Sequence, residues 1–210
     1  MTTLSHLKVF FYRISLVFIS YMLSRWLFVY FNNDIFNLSG FVELIKLSFY
    51  GIRFDIAAII YLLSIFIVLS FFPGRYFFNN GYNKLVHFFY FFGALSGLAL
   101  NFIDFAYYRF NLMRINSSVL EVVQNEQNKT ILLLHFIIEY SHLLVLFFTF
   151  SCIWIYFYKR VNDKIIKPNQ SFKYLLKSFI VFIVILIICI AGVRGDLKKS
   201  TRPISLIHAM

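Results

Sequence analysis

The chain has 210 residues, 60% of them hydrophobic, with 29 Phe and 14 Tyr, and so much apolar surface excludes a water-soluble domain in favour of one solvated by lipid. Its net charge of +11 is no nucleic-acid footprint, because the basic residues fall between apolar runs instead of on one polar face with interleaved aromatics; membrane orientation accounts for them. Cys152 and Cys189 lie inside apolar runs without CxxC or ligand spacing, which argues against a disulfide framework or zinc site and leaves them as small apolar fillers.

The first span covers about Phe10 to Phe31, is interrupted by Arg25, and ends at Asn32-Asn33-Asp34. It follows Lys8 and Arg13 as a signal peptide would, but it is too long and lacks a small-x-small cleavage site, so it is expected to stay attached as an anchor. From Asn37 to Tyr50, Phe41, Leu44, Ile45, Ser48 and Phe49 recur at helical spacing with Glu43 and Lys46 on the other side, the pattern of a short interfacial helix. Gly51 leads into the second span, Phe54 to Phe72, whose length of about 19 residues is roughly what a helix needs to cross hydrocarbon. Pro73-Gly74 stops it. The entrance to this span, Gly51-Ile-Arg-Phe-Asp-Ile-Ala-Ala-Ile-Ile-Tyr61, sets Arg53 and Asp55 two residues apart. They read either as an interfacial anchor with a first-turn acid or as a functional charged pair at membrane depth.

A polar turn from Arg75 to Lys84 makes the third span, Leu85 to Tyr108, an antiparallel neighbour of the second. Gly93, Ala94 and Gly97 in this span permit close helix approach, and Asn101, Asp104 and Tyr108 recur on one face before Arg109. Arg109 to Thr130 is a polar excursion in which Ser118-x-x-Glu121 reads as a capping box before a short helix over Val119 to Gln127. The fourth span, Ile131 to Phe157, opens with His135, Glu139 and His142 at i, i+4 and i+7; this is not HExxH, no fourth ligand is visible, and buried polar pairing is expected in place of a metal. Lys159 to Lys173 carries Lys159, Arg160, Lys164, Lys167 and Lys173 against one Asp163, a cytoplasmic signature. The fifth span, Tyr174 to Val193, ends at Arg194-Gly195 and is followed by a tail from Asp196 to Met210. The sequence shows no internal repeat, P-loop or GxSxG elbow. The fold class is therefore all-α integral membrane, with about five spans within residues 1–195, an interfacial helix after the first and a short helix in the third loop.

Alternation of the spans puts Lys8, Arg13, Arg75, Lys84 and the basic loop on one side, expected to be cytoplasmic, with the N-terminus inside and the tail outside. Arg25, Arg53, Asp55, Asn101, Asp104, Arg109, His135, Glu139 and Arg194 then all fall toward the outer ends of their spans. This layer reads as interhelical ion pairs, such as Arg53 with Asp104 or Arg25 with Glu139. On a second reading, surplus arginines form an outer-leaflet pocket that holds a phosphate headgroup in their bidentate fork.

Three stretches together resemble the N-terminal membrane domain of lipoteichoic acid synthase-like proteins, the phosphoglycerol and phosphoethanolamine transferases of the alkaline-phosphatase and sulfatase superfamily. Gly51 to Tyr61 is similar to the family's "GLRFD" segment, and Asn101 to Arg114 to its third-span exit. Arg194-Gly195 followed by Thr201-Arg202-Pro203-Ile204 and Ala209 resembles its "RGG…RPI…A" linker, with Asp196 where a glycine is usual. The resemblance implies a bacterial cytoplasmic membrane domain followed from residue 196 by an extracytoplasmic linker, with phospholipid, anionic or zwitterionic, as its partner. The chemistry would belong to a separate or downstream catalytic domain that uses a threonine nucleophile and a divalent metal such as manganese. That domain is not in this chain, which alone is expected to be inactive and to hold no cofactor. The competing reading is a self-contained transporter or channel subunit, motivated by Arg25, Asp104, His135 and Glu139 within or beside spans. The lack of a repeat ranks it second.

Overall fold

In lipid each segment must satisfy its own backbone, which a helix does without a partner. The computed structural model describes residues 3–36, 41–72, 80–112, 114, 135, 137–161 and 172–194. Its elements are α1 (Thr3–Phe31), α2 (Asn33–Phe36), α3 (Phe41–Leu62), α4 (Ser64–Phe71), α5 (Asn80–Asn111), α6 (Ser141–Lys159) and α7 (Phe172–Arg194). The stretches Leu7–Phe31, Asn80–Arg109 and Ser141–Lys159 are long and apolar enough to cross a membrane, and α3 with α4 makes a fourth if taken as one bent span. The apolar part of α7, Ser178–Arg194, is shorter. The described residues are thus those of a multi-pass, helical membrane protein with three to four candidate spans, where the sequence suggested five.

Contacts between the helices fix their directions. At one end of the bundle the start of α1 meets the ends of α4 and α6, through the Phe10 and Phe71 rings at 4.6 Å and the Tyr12 hydroxyl, which donates to the Phe157 carbonyl at 3.0 Å. At the other end α1 meets α5 through Phe28 and Phe105. So α1 and α5 run one way, while α3, α4 and α6 return. Two buried cores follow from this, one built around Val17, Leu63, Phe66, Tyr90 and Trp154, the other around Phe28, Phe102, Phe105 and Leu143.

The separate interfacial helix is not what forms. Helix α3 runs without interruption through Gly51, because the face begun by Leu44 and Ser48 continues through Gly51, Asp55 and Ile59, and the last four of these are buried. A stripe at helical spacing that stays covered gives the helix no reason to end. The break comes instead at Leu63, φ −96° and ψ 10°, where the axis turns by 64° into α4. No Pro or Gly stands at this joint, so the usual local causes of a sharp kink are missing. What faces it is Gly93 of α5, so close that a Cβ there would lie 2.5 Å from the Leu62 carbonyl oxygen and 2.9 Å from a Leu63 methyl. Gly97 seats the Tyr21 hydroxyl of α1 in the same way. The small-residue stripe of α5 therefore receives two helices.

Helix α5 begins at Asn80, which moves Lys84 from the expected turn into the helix, and the fourth span is broken by a turn at Tyr140 before α6 begins at Ser141. The capping box, the short helix over Val119 to Gln127 and the tail from Asp196 lie outside the described residues.

Gly93→Ala should lower the thermal midpoint of the detergent-solubilised protein, a cost on the order of 1–3 kcal/mol for overpacking against backbone. Gly192→Ala should be close to neutral, since its Cβ would meet chiefly the Ile60 Cδ1 methyl at 2.6 Å, the movable end of a side chain. Equal melting of both variants would contradict this account of the joint.

Candidate functional site

Arg25 lies six residues before the end of α1, where an ionised side chain must find partners inside the bundle. It finds them on α3. One terminal nitrogen donates to the carbonyls of Leu47 at 3.5 Å and Ser48 at 3.3 Å, and the other to the Gly51 carbonyl at 3.1 Å and to Asp55 Oδ1 at 2.6 Å. Helical carbonyls keep a second lone pair for such bonds. The Arg25 and Asp55 side chains are 10% and 12% exposed, so the pair is shielded from solvent screening.

Gly51 is what lets the guanidinium reach the backbone. A Cβ at this position would collide with Arg25 Nη1, Cζ and Nη2. Gly51 and Asp55 stand at i and i+4 on one face, so the glycine exposes the α3 backbone and the acid one turn on closes the ion pair. Next to Arg25, the Trp26 indole donates to Ser48 Oγ at 2.8 Å, and Ser48 in turn donates to the Leu44 carbonyl at 2.8 Å. Two consecutive residues of α1 thereby hold α3. The second oxygen of Asp55, Oδ2, is buried with no hydrogen-bond partner among the described residues.

The other predicted site residues are placed less uniformly. Arg53 is exposed; two residues from Asp55, it points about 200° away around the helix. Asp104 is buried at the far end of α5 and accepts from Arg114 Nε at 2.7 Å. The Arg114 guanidinium also lies 5.0 Å from the Phe28 ring centroid, a cation–π contact to α1. Arg109 meets Asp34 at 3.5 Å, with side chains 47% and 87% exposed, a pairing of small energetic weight. Asn101 is half-buried, and His135, Glu139 and Arg194 are exposed.

Two expectations are corrected. Arg25 takes Asp55 as its carboxylate, not Glu139, because one turn of α3 supplies both the acid and a bared backbone. His135, Glu139 and His142 are not buried polar partners: all are exposed, and His142 instead faces the rings of Phe31 and Tyr140 at 6.0 and 6.1 Å. Among the described residues no three His, Cys, Asp or Glu side chains are grouped to hold a metal.

Sequence reading also missed Arg13, which it left among the cytoplasmic charges. It is buried within α1, with its guanidinium carbon 4.8 Å from the Tyr158 ring centroid and 5.9 Å from that of Tyr90. Nothing in its own neighbourhood signals this, because the rings come from α5 and α6. The pairings of Arg114 with Asp104 and of Asp34 with Arg109 carry no sequence signal of their own either. For Gly51 and Asp55 the i, i+4 spacing was the available signal.

No protein-family model, curated protein or solved structure matches this chain, so the family reading rests on the motifs quoted above.

Breaking one side of a buried pair leaves an uncompensated charge, at a cost of roughly 3–5 kcal/mol. Arg25→Met should therefore destabilise the protein more than Arg25→Met with Asp55→Leu. Gly51→Ala should behave like Arg25→Met, and adding it to Arg25→Met should cost little more, because both remove the same contact. Additive losses in thermal melts would show that Gly51 acts independently of Arg25.

Proposed function

We propose that the chain is the membrane-anchoring, headgroup-positioning domain of a lipoteichoic acid synthase-like transferase. It would cross a bacterial cytoplasmic membrane five times with its N-terminus inside and its C-terminus outside. The observation that carries this reading is the division of labour in the Gly51 to Asp55 segment. Gly51 and Asp55 are consumed in holding α1, while Arg53 faces outward at the same end of the bundle as the half-exposed Arg109. A shared motif whose inner residues set helix register and whose outer arginine stays accessible suits a domain that presents lipid phosphate to another domain. For the fifth crossing, the 23 residues of α7 extend about 34 Å at the helical rise, enough when its polar first turns lie in the headgroup region. Transfer chemistry, with its divalent metal, belongs on this reading to a separate or downstream catalytic domain.

One observation favours a second reading, a self-contained transporter or channel subunit: the 64° break between α3 and α4 is of the kind found in the discontinuous helices of transport folds. The two readings differ in what the outward arginines do. Arg53→Ala with Arg109→Ala should reduce co-purifying anionic phospholipid seen by native mass spectrometry while leaving the melting temperature near that of the wild type. Unchanged lipid with impaired solute uptake in proteoliposomes would favour the transporter and sink the headgroup reading.

Orientation is tested separately. Alkaline phosphatase fused after Met210, active only outside the cytoplasm, should be active in cells; a well-expressed but inactive fusion would refute an exported C-terminus.

A further inference from the structure

Charge is distributed between the two ends of the bundle with an asymmetry that the proposed function does not use. The acids among the described residues, Asp34, Glu43, Asp55, Asp104 and Glu139, all belong to the end where α1 and α5 finish and α3 and α6 begin. The opposite end carries Lys8 on α1, Lys84 on α5 and Lys159 with Arg160 at the close of α6, all exposed. Unlike Arg25, Arg109 and Arg114, none of these four cations is in an ion pair among the described residues. The sequence after Arg160 adds Lys164, Lys167 and Lys173 against Asp163.

This cationic end is also stapled. Three tyrosine hydroxyls donate across helices to main-chain carbonyls, Tyr12 to Phe157 at 3.0 Å, Tyr82 to Leu69 at 2.6 Å and Tyr90 to Arg13 at 3.0 Å, and Tyr158 bonds His87 Nδ1 at 3.0 Å. The helix ends that bear the lysines are thus held at one level, with the buried charge of Arg13 behind them. The part-exposed phenols of Tyr12 and Tyr82, with their hydroxyls toward this end, suit the level of a lipid–water interface.

We infer that this end is a docking surface for anionic phospholipid headgroups, gripped by Lys8, Lys84, Lys159 and Arg160. The partner follows from charge complementarity: an exposed rim of one sign, at headgroup height on apolar helices, meets the phosphates of the surrounding leaflet before any soluble partner. The inference is independent of the function proposed above, whose arginines lie at the other end.

The test uses the full chain in detergent with an equimolar mixture of phosphatidylglycerol and phosphatidylcholine, bound lipid being counted by native mass spectrometry. Wild-type protein should retain phosphatidylglycerol in preference, the preference shrinking as salt is raised. Combined Lys8→Gln, Lys84→Gln, Lys159→Gln and Arg160→Gln should reduce the preference by about tenfold or more at low salt with melting near the wild-type value, whereas Lys→Arg at the three lysines should keep it. The same drop should occur when Arg53→Ala and Arg109→Ala are already present, which separates this surface from the other end. Should the fourfold variant not fold, the pairs Lys8→Gln/Lys84→Gln and Lys159→Gln/Arg160→Gln should each lose part of the preference. No preference in the wild type, or a preference undiminished in the folded fourfold variant or in both pairs, would overturn the inference.

Discussion

A guanidinium resting on bare helix backbone is the contact on which the other arrangements depend. Inside an apolar bundle an arginine without partners is intolerable, and Arg25 meets that demand only because Gly51 opens the surface of α3 and Asp55 stands one turn farther along. The bonds to the Leu47, Ser48 and Gly51 carbonyls fix α1 against α3 in translation as well as rotation, since each carbonyl occupies one level of the helix. Register set at this point decides which residues face away from the bundle: with Asp55 turned inward, Arg53 is necessarily turned outward.

The remaining contacts tie the other helices to this pair. Gly93 and Gly97 of α5 accept the α3–α4 joint and Tyr21 of α1, so α5 is positioned by the two helices that Arg25 joins. Helix α6 attaches through rings: Tyr90 and Trp154 stack at 5.5 Å, Tyr90 and Tyr158 at 5.0 Å, and the charge of Arg13 lies against the same tyrosines. Lipid supplies little hydrophobic drive between helices. Close backbone approach, aromatic contact and hydrogen bonds do that work instead. The polar groups thus serve two ends differently, as ion pairs with acids at one and as exposed cations around a tyrosine-stapled collar at the other.

Much of this was legible in the residues. The apolar runs and the small-residue stripe of the third span each reflect a local demand: length to cross hydrocarbon and space for a neighbour. Alternation of direction between successive runs was also readable, and α1 and α5 do run opposite to α3, α4 and α6. Partner choice was not. Arg25 with Asp55 and the rings around Arg13 depend on which helix lies beside which, and residues 30 or 77 positions apart meet without any local mark.

The sequence by itself determined that this is a helical membrane protein, because composition and run length decide that matter residue by residue. Only the tertiary structure decided that α3 continues through Gly51 and breaks at Leu63. A glycine in a helical stripe reads as a weak point until an arginine from another helix covers it, and Ile60-Tyr61-Leu62-Leu63-Ser64 reads as unbroken helix until Gly93 leaves room for a bend.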